Sequence, residues 1–202
     1  MIKNVIFDLG NVLIRFKPLE YVYSKIADES IARQVYSAIF LSKEWVLLDR
    51  GVITEAEAVD RIVARNSAPD VLIRQCMKDW YELLTPIEAT VTAFRKIKAG
   101  GYKTLILSNY HQKAFEYISG KYGFLQEFDG GIISYRERLL KPEPEIYDAL
   151  ITRYRIKPAE SVVIDDAREN IIGAGRAGFA TILVEDPVKL QFQLTELGLL
   201  AK

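Results

Sequence analysis

The sequence predicts an α/β fold: a parallel sheet with helices on both faces, interrupted early by an all-helical insertion. Three observations carry that expectation. Short apolar, largely β-branched runs recur at Val5-Ile6-Phe7, Thr104 to Leu107, Ile132-Ile133, Ser161 to Ile164 and Ala180 to Val184. Between the later runs lie stretches of helical length and periodicity, so βα units with right-handed crossovers follow. From Pro18 to Leu84, by contrast, almost nothing reads as strand. An all-helical block between two sheet segments suggests a small bundle inserted into the α/β domain.

The elements follow in order. Val5 to Phe7 reads as a strand buried on both faces, ending on Asp8 and a turn around Gly10. Ile14 to Pro18 leaves the sheet. Leu19–Ala27, Ser30–Phe40 and Lys43–Leu48 carry helical spacing, and Gly51 breaks it. Thr54 with Glu57 forms a capping box for the next helix. Pro69 fits the first turn of a helix reaching about Leu84. Ile87–Ala99 is a helix closed by Gly100-Gly101. The strand Thr104–Leu107 ends in Ser108-Asn109, and a helix from about His111 to Tyr122 follows. After Ile132-Ile133 a polar loop leads to Lys141, and Pro144 starts another helix. Ser161–Ile164 ends on Asp165-Asp166, a helix runs to Ala177 with Gly178 closing it, and Asp186-Pro187 cap a final helix.

The composition is ordinary for a globular chain: 202 residues, 50% apolar and 27% charged. Lys plus Arg equals Asp plus Glu at 27 each, so no overall field favours nucleic acid or a membrane surface. One cysteine, Cys76, rules out an internal disulfide framework and a Cys-rich zinc site. No signal peptide and no membrane-spanning run is legible, and the expectation is a cytoplasmic protein.

In a parallel sheet the carboxyl ends of the strands share one edge. That brings together Asp8, Ser108-Asn109, Lys141 and Asp165-Asp166. Two unit charges ~4 Å apart repel by about 4 kcal/mol at an effective dielectric of ~20. One lysine cannot neutralise three acids, so they protonate or hold a cation. An all-oxygen set without His or Cys favours Mg²⁺. Asp8, ionised at neutral pH, can attack phosphorus to form an aspartyl-phosphate. Ser108, the Asn109 amide at a helix N-terminus and Lys141 would hold the phosphoryl oxygens.

The segments FDLGNV, LSN, KPEPEIY and VIDDARENIIGAG closely resemble the four motifs of the haloacid dehalogenase-like hydrolase superfamily, in order and after the expected strands. The resemblance covers essentially the whole chain. It implies a Rossmann-like three-layer core over 1–15 and 85–202 and a helical cap over 16–84. It further implies Asp8 as nucleophile, with Ser108, Lys141 and the Leu9-Gly10 turn binding phosphate. Mg²⁺ would be held by Asp8, the Gly10 carbonyl and Asp166, with Asp165 as a further ligand and Asn170 steadying the acidic loop. The implied partner is a small phosphorylated metabolite such as a sugar phosphate, the chain being a monomer or weak homodimer.

One departure stands out. Family phosphatases usually carry a second Asp two residues after the nucleophile, as general acid and base, and here that position is Gly10. Losing a general acid typically costs 10²–10⁴-fold, or roughly 3–5 kcal/mol of barrier. Relatives with the same DLGNV variant resemble sugar-phosphate phosphatases, so activity is compatible with the change if an acid comes from the cap or from water. The rival readings are a metal-independent 2-haloacid dehalogenase, which leaves Asp165-Asp166 unexplained, and a binding protein that has lost turnover.

Other features are weighed and set lower. Gly173 to Gly178 matches G-x-G-x-x-G but falls late in a helix rather than in the turn after a strand, which points to close packing and a C-cap. His111 reads as a surface or supporting residue that could orient a leaving group. Arg50 is a candidate substrate contact from the cap, or a solvated arginine. Trp45, Trp80 and Tyr81 read as core or as cap-pocket lining. Leu197, Leu199 and Leu200 read as packing on their own sheet.

Overall fold

The computed structural model describes residues 1–200. Five parallel strands, β1 (Asn4–Phe7), β4 (Lys103–Ser108), β5 (Gly131–Ile133), β6 (Ser161–Asp165) and β7 (Ala180–Leu183), form one sheet in the order β5-β4-β1-β6-β7. β1 lies at the centre, in register Asn4 to Lys103 on one side and Asn4 to Ser161 on the other. The chain builds outward in both directions from β1, so the order reverses there and a crevice opens beyond its carboxyl end. This is the expected α/β, Rossmann-like core.

Alternation along the strands sends side chains to two apolar layers. Val5 and Phe7 face one layer, where Phe7 meets Phe94 and Phe128 edge-on at 5.8 and 5.9 Å. That layer receives α6 (Glu88–Ala99), α7 (Gln112–Lys121) and α11 (Leu190–Glu196) through Phe94, Ile118, Leu190 and Leu194. Ile6, Leu105 and Leu107 face the other layer, covered by α9 (Pro144–Tyr154) and α10 (Arg168–Arg176). Gly173 of α10 sits against Tyr147 and Pro142 so tightly that a Cβ would come within 2.8 Å of the Tyr147 hydroxyl. Gly178, at φ +89°, ends the helix. Close packing and a cap are thus what the glycine-rich stretch supplies.

Between β1 and β4 lie α1 (Pro18–Lys25), α2 (Glu29–Phe40), α3 (Lys43–Asp49), α4 (Glu55–Arg65) and α5 (Asp70–Asp79). Local chemistry sets their starts: Asp28 and Ser42 cap α2 and α3 by accepting from backbone N–H groups, and Thr54 with Glu57 forms the reciprocal box of α4. Pro69 is the N-cap of α5 rather than a first-turn residue, and a 3₁₀ turn continues to Leu83. Cys76 is buried in this helical insert. The apolar faces of the helices join the same contiguous cluster as one face of the sheet.

Two pieces differ from expectation. Ile14–Arg15 (β2) pairs antiparallel with Thr85–Pro86 (β3), a ribbon at the entry and exit of the insert; two-residue strands carry no periodicity to read. The loop after β5 holds a short helix, α8 (Ser134–Glu137), closed by Arg138 at φ +59°. At the C-terminus Leu199 is buried and Leu200 packs beside it, whereas Leu197 is 56% exposed. Among the described residues no helix is long and apolar enough to cross a membrane.

Candidate active site

Beyond β1, the Leu9 carbonyl accepts from the N–H groups of Leu13 and Ile14 at 2.8 and 2.7 Å, folding Leu9 to Ile14 into a tight turn. Asn11 sits in the left-handed region at φ +50°, which asparagine tolerates better than most side chains. Its side chain holds both ends of the local structure: Nδ2 donates to Asp166 Oδ2 at 3.0 Å and Oδ1 accepts from Phe16 N–H at 3.1 Å.

The four strand-end segments converge. Asp8, Asp165 and Asp166 each offer an oxygen, and the three lie within 4.8 Å of one another. Lys141, itself buried, reaches Asp8 Oδ1 at 2.9 Å and Asp165 Oδ2 at 2.6 Å and donates to the Leu107 carbonyl at 2.9 Å. Two of the ammonium's three N–H groups are thus committed to hydrogen bonds, and its charge is shared with Asp8. Asp165 is saturated: it accepts from Ala167 N–H at 2.8 Å and from Asn170 Nδ2 at 3.0 Å. Its geometry is that of an anchor for Lys141 and the loop, whereas the side-chain partner of Asp166 is Asn11, on one oxygen.

The electrostatics follow from crowding. Burial raises the Asp8 carboxyl, Lys141 lowers it, and Asp165 and Asp166 raise it again, leaving it at about 7. Burial, opposed by Asn11, also raises Asp166. Burial lowers the Lys141 ammonium, but Asp8 and Asp165 outweigh that and hold it above its ordinary value. The lysine therefore stays charged while the acids carry more negative charge than it offsets. A hard divalent cation among them relieves that excess, and the all-oxygen donor set fits Mg²⁺.

The remaining candidates fall into two groups. Ser108 Oγ is buried with no hydrogen-bond partner in the protein, as a hydroxyl kept for a ligand would be. Asn109 is differently used: its side chain both donates to the Lys141 carbonyl at 3.0 Å and accepts from Lys141 N–H at 2.9 Å. Because α7 begins at Gln112 with His111 as N-cap, Asn109 is not at the helix N-terminus, and only its backbone remains for a phosphate.

His111 is not a surface residue. It is buried against Trp45, ring centroids 4.2 Å apart, and lines a cavity of about 100 Å³ with Gly10, Phe16, Trp45 and Trp80. Burial pushes its imidazole down to about 3. Arg50 does not line that cavity; its guanidinium pairs with Glu143 and donates to the Arg138 carbonyl at 3.1 Å, tying the helical insert to the loop before α9. Sequence reasoning missed Asn11, at which only a non-glycine residue directly after a turn glycine hinted, and passed over Asp49, one residue before Arg50, which lines the same cavity as His111.

Comparison with known proteins agrees with this architecture. A crystal structure of a HAD family enzyme from Bacteroides thetaiotaomicron, in complex with magnesium and inorganic phosphate, superposes with a TM-score of 0.70 at 27% identity, covering 94% of this chain and 99% of that one. The sesquiterpene phosphatase astK of Aspergillus oryzae is 24% identical over 195 residues, 96% of each chain. The D-ribitol-5-phosphate phosphatase of Bacteroides thetaiotaomicron is 22% identical over 205 residues, 96% of this chain and 98% of the relative. Residues 2–178 match the haloacid dehalogenase-like hydrolase family. With the sheet order, the convergent strand ends and that match in agreement, the chain belongs to the haloacid dehalogenase-like hydrolases.

Proposed function

We propose that this hydrolase is a Mg²⁺-dependent phosphatase acting on a small phosphomonoester, of which sugar phosphates are one class, through an aspartyl-phosphate on Asp8. The observation that carries the reading is the meeting of Asp8, Asp165 and Asp166 around a single buried lysine. Asp8 lies at the carboxyl end of the central strand, where its carboxylate attacks phosphorus and the ester oxygen leaves on the opposite side. Ser108 Oγ and the backbone amides of the Leu9-Gly10 turn hold the phosphoryl oxygens. Lys141, pinned by Leu107 and Asp165, offsets the negative charge on Asp8 and its phosphoryl group. Asp8, the Gly10 carbonyl and Asp166 would hold Mg²⁺, with Asn11 orienting Asp166 and Asn170 steadying Asp165. When bound, the cation supplies positive charge at the transferring phosphoryl group.

The helical insert, in this reading, is a cap over the site. The cavity beneath it, at about 100 Å³, is smaller than ordinary metabolite pockets, and a shift of the insert would enlarge it for a substrate. The test is hydrolysis of p-nitrophenyl phosphate and a panel of sugar phosphates with Mg²⁺ and with EDTA. Turnover that EDTA abolishes is the expected result. Halide release from a 2-haloacid that survives EDTA would replace this reading with a dehalogenase, and metal binding without turnover on the whole panel would replace it with a binding protein.

A further inference from the structure

Three consecutive residues of the helical insert are fastened to the strand-end loops. The Asp49 carbonyl accepts from the buried Ser134 hydroxyl, and that same oxygen accepts from Tyr110 N–H at 2.9 Å. Arg50 pairs with Glu143. Gly51, at φ +68°, approaches Tyr135 so closely that any Cβ would strike its backbone. The C-terminal end of α3 is thereby held in place, and the Asp49 side chain, 19% exposed, lines the cavity that also borders Gly10 and Asn109. Its Oδ1 lies 3.2 Å from His111 Nε2.

An ester oxygen leaving phosphorus needs a proton, and few groups here can give one. Asp8 is the attacking group. Lys141 is committed to the Leu107 carbonyl, Asp165 Oδ2 and the ion pair with Asp8. Burial leaves His111 without an acidic proton at neutral pH. Burial and the nearby Asp8 and Asp49 charges push the Tyr110 hydroxyl well above its ordinary range. Asp49 remains. Burial and the Asp8 charge push its carboxyl up, Lys141 offsets part of this, and it settles at about 8, protonated at neutral pH.

We propose that Asp49, carried on the helical insert, is the catalytic acid and base of this hydrolase, taking the place of an acid in the turn after β1. The proposal rests on Asp8 being the nucleophile. In the first half-reaction a P–O bond forms to Asp8, the ester P–O bond breaks, and the Asp49 proton passes to the departing oxygen, releasing the alcohol. In the second, the Asp49 carboxylate takes a proton from water as its oxygen attacks phosphorus. The bond to Asp8 breaks, inorganic phosphate leaves, and Asp49 is protonated again. His111, tilted against Trp45 and neutral, lies 3.2 Å from the carboxyl without competing for its proton.

The test compares two aryl esters, phenyl phosphate and p-nitrophenyl phosphate, whose leaving oxygens differ in their need for a proton. Asp49→Asn is expected to lower kcat/KM on phenyl phosphate by roughly 10²–10⁴-fold and on p-nitrophenyl phosphate by about tenfold less. A Cβ added at Gly10 would meet Asp8 Oδ2 at 4.0 Å, an ordinary contact. Gly10→Asp is expected to raise activity on phenyl phosphate at least about tenfold more in the Asp49→Asn background than in the wild type, a dependence that a packing role of Asp49 would not produce. Asp49→Ser, read on the same two esters, serves if the Asn variant does not fold. Equal losses on both esters, or none, would overturn the proposal while leaving Asp8 in place. A wild-type enzyme inactive on both and on the sugar-phosphate panel would overturn the phosphatase reading and this proposal with it.

Discussion

Asp8→Asn separates chemistry from stability. A carboxyl raised from 3.8 to about 7 marks roughly 4 kcal/mol of unfavourable ionisation in the metal-free fold above that pH. The amide removes the charge but also weakens the contact with Lys141 Nζ, now 2.9 Å from Asp8 Oδ1. That loss is limited, because Lys141 keeps Asp165 at 2.6 Å and the Leu107 carbonyl at 2.9 Å. The net expectation at pH 8 in EDTA is a gain of about 1–3 kcal/mol, which for a domain of this size raises Tm by roughly 2–10 °C. Turnover of p-nitrophenyl phosphate should vanish, and Mg²⁺ should stabilise the variant less than the wild type. Melting curves in EDTA and in Mg²⁺, beside the activity assay, check all three. A variant that melts several degrees below wild type in EDTA, or that still turns over, would refute the reasoning.

The same crowding predicts how metal-free stability varies with pH. Asp8 at about 7 and Asp49 at about 8 keep protons in the fold that the unfolded chain has released above about pH 4. Unfolding then releases protons, so stability falls as pH rises through 7 and 8. His111, held at about 3 against an ordinary 6.5, acts in the opposite sense but only below 6.5. Between pH 6.5 and 8.5 in EDTA the Tm should therefore decline, and Mg²⁺ should flatten the decline; a flat metal-free curve would contradict the burial of these acids. Asn11→Ala frees Asp166 Oδ2 and Phe16 N–H together. Removing such a support typically weakens metal binding about 10–100-fold, so the Mg²⁺ concentration for half-maximal activity should rise by that order, and an unchanged value would exclude the role given to Asn11.

Much of this site was legible because its strands were. Val5-Ile6-Phe7 and Ser161 to Ile164 announce buried parallel strands, and a parallel sheet obliges Asp8 and Asp165-Asp166 to share an edge. Asn170's supporting role came with the family resemblance, and its Nδ2 does donate to Asp165. Roles that depend on the third dimension were not legible. Nothing local distinguishes Asp165, whose oxygens are all spoken for, from Asp166, which has one oxygen tied to Asn11. Arg50 drew notice as the charged residue before Gly51, but its partner Glu143 lies 93 positions away, and its neighbour Asp49 is the one that lines the cavity. Of the two readings of His111, surface or supporting, only the surface one fails, because polarity in sequence says little about burial, which here comes from Trp45 and Trp80 in the insert.

The most direct measurement is mass spectrometry of the enzyme acid-quenched during turnover of p-nitrophenyl phosphate with Mg²⁺. A phosphoryl group on the peptide that begins the chain, localised to Asp8 and lost in Asp8→Asn, is the predicted result. Rapid turnover with no phosphorylated enzyme at any quench time, or a phosphoryl group on another residue, would contradict the placement of Asp8 at the centre of the reaction.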